Sequence, residues 1–164
     1  MNIMEKERHA VVIQVAEHCE FILNSARCAA QQFADERLGV DAIQKFAASP
    51  DPAVRRKALF LLSLWDSRSV LPVLADALLH DPSRVVRHEA AFLLASLHMP
   101  EAVDPLAVAL CNDREELVRH EAAEALGDLG FQIAVEPLQR ALDDRSEMVK
   151  ETVKMALSQL AFGT

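Results

Sequence analysis

The hexapeptide VRHEAA occurs at 86–91 and again at 118–123, and each copy sets a histidine beside a glutamate: His88 with Glu89, His120 with Glu121. Imidazole with carboxylate is a donor set suited to iron or manganese rather than to thiolate-type zinc. Glu124, four residues after His120, shares its helical face and could add a further carboxylate. One such pair is ordinary on a solvated helix. Two pairs at equivalent positions of stacked helices would put the histidines in one row and the glutamates in a parallel row, about 10 Å apart. His88, Glu89, His120 and Glu121 are therefore candidate metal ligands. The competing reading is a duplicated helix whose shared dipeptide records descent and not chemistry.

Other chemistries find no support. The chain has no glycine-rich phosphate loop, no GxSxG and no HExxH. Cys19, Cys28 and Cys111 are odd in number and lack CxxC spacing, so they read as buried small apolar side chains. His9, His18, His80 and His98 follow no shared spacing and read as surface or boundary residues.

The elements that must position the His-Glu pairs form a repeat. Self-alignment gives a period of 31 or 32 residues. One half of the unit reads DPAVRRKALFLLSLW, DPSRVVRHEAAFLLASL, DREELVRHEAAEALGDL and DRSEMVKETVKMALSQL in successive copies; the other reads SVLPVLADALLHD, AVDPLAVALCND and AVEPLQRALDD. A shorter relative, GVDAIQKFAASPD, precedes the first copy. Two helical segments per period in the thirties mean stacked helix pairs. The spacing predicts N-caps at Asp51, Asp81, Asp113 and Asp144, first-position prolines at Pro52 and Pro82, and Pro72, Pro105 and Pro137 in opening turns. Gly130 predicts a helix stop. The fold class is thus all-α, an α-solenoid of about four helix pairs over 38–164, in one domain with an N-terminal helical segment, 1–37, that caps the first repeat or dimerises.

At 100° per residue, Val86, Ala90, Leu93, Leu94 and Leu97 share one packing stripe, matched by Val118, Ala122, Ala125, Leu126 and Leu129. Trp65 occupies the position of Leu97 and Leu129 and reads as core. Arg55, Arg87, Arg119 and Lys150 recur at one position beside the recurring aspartates, predicting a ladder of ion pairs worth little per rung if exposed. The side opposite the packing stripe carries Arg56, Lys57 and Phe60, then His88, Glu89 and Phe92, then His120, Glu121 and Glu124, then Glu151, Thr152 and Met155. In stacked pairs that side becomes the concave surface, where such proteins bind.

Net charge is −8 with a pI near 5.2. A phosphate-tracking protein shows a basic face, so nucleic acid is not the expected partner. Residues 113–143 carry eight acids against three bases, whereas 51–80 are slightly positive. No apolar run approaches the roughly 20 residues of a membrane span, and the start MNIMEKERHA lacks the apolar core of a secretion signal. The expected setting is cytoplasmic.

The repeat, over 40–160, resembles the HEAT-like repeats of phycobilisome-lyase-type proteins. The stretch VRHEAAFLLASL, twenty residues, VRHEAAEALGDLG also resembles one half of a deoxyhypusine hydroxylase, a HEAT-like dimetal family in which four His-Glu motifs hold two irons. That resemblance implies iron at His88, Glu89, His120 and Glu121. Two pairs supply half of such a set, so a homodimer facing groove to groove would be needed to supply eight ligands and hold two irons. FLLASLH departs from the family by lacking the glycine usual after the first motif.

Two functions remain open. The first is a binding module holding a protein or peptide in the concave groove, with Phe60 and Phe92 as apolar anchors, Arg55, Arg56 and Lys57 meeting acidic groups, and Glu124 within an acidic stretch that meets basic ones. The second is a homodimeric di-iron, oxygen-dependent hydroxylase acting on a lysine-derived side chain. A lyase or chaperone for a bilin cofactor rests on the repeat family alone.

Overall fold

The computed structural model describes residues 45–64 and 67–162. Packing divides the chain into two units, Met1–Ala42 and Ile43–Thr164, and the described residues belong to the second. The expected N-terminal cap or dimerisation segment, Cys19, Cys28, His9, His18 and Trp65 lie outside them.

Every regular element among the described residues is helical. The order is α1 (Pro52–Leu62), α2 (Ser67–His80), α3 (Arg84–Ser96), α4 (Val103–Asn112), α5 (Glu116–Leu129), α6 (Val135–Arg140) and α7 (Glu147–Phe162). Two layers result. Helices α1, α3, α5 and α7 pack side by side in chain order, and α2, α4 and α6 form the second layer against them. Successive helices meet more extensively in the first layer than in the second, as on the inner side of a solenoid. The predicted α-solenoid is the observed fold.

The predicted packing stripe is the core. Val86, Ala90, Leu93, Leu94, Val118, Ala122, Ala125, Leu126 and Leu129 are all buried, whereas Leu97 is only half-buried. Ala91, Ala95, Ala123 and Gly127 are buried as well, because this edge of each helix meets the next repeat. At Gly127 the approach is close: a Cβ there would lie 2.5 Å from Oε1 of Gln159, 2.9 Å from Cβ of Ala156 and 3.0 Å from its Cα. Small residues let the backbones of α5 and α7 meet this closely.

Local signals need several corrections. Asp51 caps α1, accepting from the Ala53 N–H at 2.8 Å, and Pro52 opens that helix as predicted. Asp81 and Asp113 are not N-caps, since Ser83 and Glu115 hold those positions in α3 and α5. Pro82 accordingly lies in the loop ahead of α3. Pro105 and Pro137 fall in the opening turns of α4 and α6, but Pro72 sits inside α2. The three prolines are nonetheless equivalent. Short 3-10 turns, Pro100–Ala102 and Gln132–Ala134, precede α4 and α6, so each proline stands at the same depth from the start of its helical stretch. In the latter two copies the stretch opens as a 3-10 turn that runs directly into the α-helix two residues ahead of the proline.

Gly130 ends α5 with φ 71°, in the left-handed region. Its counterpart one repeat earlier is His98, which adopts φ 51°. His98 is thus not merely a surface residue: it holds a conformation that costs a side chain energy. Cys111 is half-buried rather than core.

Candidate functional site

Two sets of bonds run from each repeat to the next. The first is buried. Arg87 donates from Nε and Nη2 to Oδ2 and Oδ1 of Asp113 at 2.7 and 3.0 Å, and from Nη1 to the Asp81 carbonyl at 2.9 Å. Arg55 holds Asp81 in the same bidentate manner, and Arg119 holds Asp144. Each aspartate also accepts a loop N–H two residues on, from Ser83, Glu115 and Ser146 respectively.

The recurring aspartates therefore close the loop of one repeat and receive the arginine of the repeat before it. The expected ladder is present, and because Arg87 and Arg119 are only 4% and 3% exposed its rungs are buried ones. Lys150 is the exception, pairing with Glu147 in its own helix. Burial pushes the Asp81 and Asp144 carboxyls up, but the bonds from Arg55 and Arg119 and the loop N–H groups outweigh it and hold both below the ordinary value. Sequence reasoning missed a related set: exposed Arg114 donates to the Pro82 carbonyl at 3.0 Å and Arg145 to the Arg114 carbonyl at 2.8 Å.

The second set contains the His-Glu pairs. His88 Nε2 lies 3.1 Å from Oε2 of Glu121, and His120 Nδ1 lies 2.7 Å from Oγ1 of Thr152. Arg56 Nη1 stands 3.9 Å from Oε2 of Glu89. In all three rungs the residue at the histidine position of one repeat meets the residue at the glutamate position of the next. The expected parallel rows are thus offset, with the histidine row falling against the glutamate row. Glu121 is the most enclosed, its side chain 12% exposed between α3 and α5. His88 is held more basic than usual, first by its bond to Glu121 and then by the charges of Glu121, Glu89 and Glu124, against a smaller opposing effect of burial than of that bond. His120 Nε2 also faces Oε2 of Glu124 at 3.6 Å.

The donor chemistry suits a metal, but the arrangement in one chain does not. Among the described residues no three of histidine, cysteine, aspartate or glutamate converge on a point that would hold an ion. His88 Nε2 and His120 Nδ1 instead face oxygen atoms on the neighbouring helix, and His120 Nε2 faces Glu124 on its own.

Beyond this row the inner-layer face is open. Phe92 is 56% exposed and Phe60 half-buried, Arg56 and Lys57 are exposed, and Glu124 and Asp128 stand out on α5. Phe92, Ala95 and Ser96 of α3, with His98, form one wall of a groove; Glu121, Glu124, Ala125 and Asp128 of α5 form the other. His98 was not among the expected binding residues, and Asp128 was expected only as part of the acidic stretch 113–143. The i, i+3, i+7 spacing of Glu121, Glu124 and Asp128 carries the signal that they share a face.

Sequence comparison matches the HEAT repeats family over residues 10–94 and 71–158. The chain belongs to the HEAT-repeat family. No curated protein matches it. Among solved structures, human deoxyhypusine hydroxylase in complex with glycerol is similar, with 31% identity and a TM-score of 0.67 over 74% of this HEAT-repeat chain. The match spans 43% of that enzyme's length. Among the described residues no helix is long and apolar enough to cross a membrane.

Proposed function

We propose that this HEAT-repeat protein is a binding module that holds a protein or peptide partner on the face formed by α1, α3, α5 and α7. One observation carries the reading: Phe92 stands 56% exposed at the wall of a groove on the layer that repeat proteins use for binding. An aromatic side chain beside a groove, flanked by charge, is the usual anchor of an interface. Arg56 and Lys57 on α1 and Glu124 on α5 make the face change sign along its length, which fixes the register of a partner.

Site-specific photo-cross-linking in cells tests this. A cross-linker at position 92 should trap a discrete partner, and one at Val108, exposed on α4 of the other layer, should not. Equal trapping at both positions, or none at position 92, would overturn the reading.

A second reading is favoured by the similarity to human deoxyhypusine hydroxylase. Two copies facing groove to groove would bring together His88, Glu89, His120 and Glu121 of each, a ligand set for two irons per homodimer and an oxygen-dependent hydroxylation. It needs the second copy, because one chain leaves these groups bonded across repeats. A strictly monomeric protein would rule it out.

A further inference from the structure

We infer that the groove between the C-terminal halves of α3 and α5 receives a lysine or arginine side chain from a basic segment of the partner protein. The inference rests on the binding-module reading and names the chemistry of the occupant.

Three features agree on it. The cavity is small, about 170 Å³, which suits one long side chain rather than a docked helix. Its walls divide the work between a stem and a charged head. Phe92, Ala95 and Ala125 offer apolar surface to methylenes, while Glu121, Glu124 and Asp128 line the α5 side with carboxylates. Phe92, an aromatic side chain left 56% exposed at the groove, can also attract a cation.

Charge selects the sign of the occupant. The lining contains no lysine or arginine, and its one titratable nitrogen-bearing side chain is His98. Glu121 faces His88 and Glu124 lies near Nε2 of His120, but no hydrogen bond or ion pair among the described residues engages Asp128. The groove also opens beside the last turns of α3 and α5, where the backbone dipoles present their negative ends. An acidic or phosphorylated segment would meet repulsion from all of these. A basic one meets complementary charge, an aromatic side chain and an apolar wall together.

The probe is a fluorescein-labelled peptide of alternating lysine and alanine, followed by anisotropy on the full chain, with a glutamate-alanine peptide as counterpart. The lysine peptide should bind and the glutamate peptide should not. Phe92→Ala and the double variant Glu124→Gln/Asp128→Asn should each weaken binding by about tenfold, a loss of about 1.4 kcal/mol. Asp104→Asn, which removes an exposed acid from α4, should leave it unchanged, and circular dichroism verifies that every variant keeps its helices. Equal binding of both peptides, no binding of the lysine peptide, or binding unaffected by the double variant would overturn the inference. A partner trapped from position 92 alongside a lysine peptide that fails to bind would remove the basic occupant and leave the binding face standing. Failure of that trapping would remove the face itself.

Discussion

His88 Nε2 lies 3.1 Å from Oε2 of Glu121, which belongs to the next repeat and not to the His-Glu dipeptide of its own. The repeated motif is therefore a joint between repeats. His88 titrates above its ordinary value near 6.5 because the imidazolium gains the Glu121 carboxylate. A raised folded-state value means that the stabilisation is fully present below the unfolded-state value and is lost as pH rises through the folded one. By NMR on metal-free protein, the His88 midpoint should lie above 6.5 and fall in Glu121→Gln. A midpoint at or below 6.5 would contradict the bond.

The buried arginines carry more weight. Arg87→Ala removes the guanidinium that ties Asp113 to the Asp81 carbonyl and leaves a nearly buried carboxylate without its cation. The expected loss is about 3–5 kcal/mol, as for breaking other buried ion pairs. Urea denaturation measures it, and a loss within the range of an exposed pair, about 1 kcal/mol or less, would refute the buried ladder.

Acid should unfold the protein through the same network. Burial favours the neutral forms of Asp81 and Asp144, but Arg55, Arg119 and the loop N–H groups hold both carboxyls below the ordinary 3.8. A lowered folded-state value gives stability that is present above the unfolded-state value and lost as pH falls through the folded one. Melting temperature should therefore fall below about pH 4, and less steeply in Asp144→Asn, whose baseline stability is already reduced. An acid limb identical in the two proteins would argue against a depressed Asp144.

His98 carries strain that Gly130 avoids. Both end their helices in the left-handed region, at φ 51° and 71°, but only glycine does so without a Cβ penalty. His98→Gly should raise stability by roughly 1 kcal/mol, the lower end of the left-handed cost, since the variant also gives up the 3.3 Å contact of Nδ1 with the Ser96 carbonyl. Unchanged or lower stability on thermal melting would mean that the histidine compensates in place.

The repeat, its helix pairs and its core were legible because each depends on short-range periodicity: Val86 to Leu94 and Val118 to Leu126 repeat the same stripe in both copies. The face bearing Phe92 and Glu124 followed as its complement. What periodicity does not carry is register between repeats. Whether His88 lies beside His120 or beside Glu121 depends on how far α5 is offset along α3, which no single helix encodes. The pairing of the recurring arginines with the recurring aspartates was legible, but the N-cap role expected of Asp81 and Asp113 was not what they do. Asp81 and Asp113 sit near helix starts, as caps do, but their partners are arginines 26 residues back, a spacing present in the sequence. His98 could have been identified by aligning it with Gly130.

Metal content per chain, measured on untagged protein purified without chelator from iron-supplied cells, tests most directly whether VRHEAA is a joint or a ligand set. The binding-module account predicts no stoichiometric iron or manganese, and a lowered melting temperature in His88→Ala and Glu121→Ala. Iron near one per chain, lost in those variants while helicity persists, would contradict it and make the two-copy metal centre the function of this face.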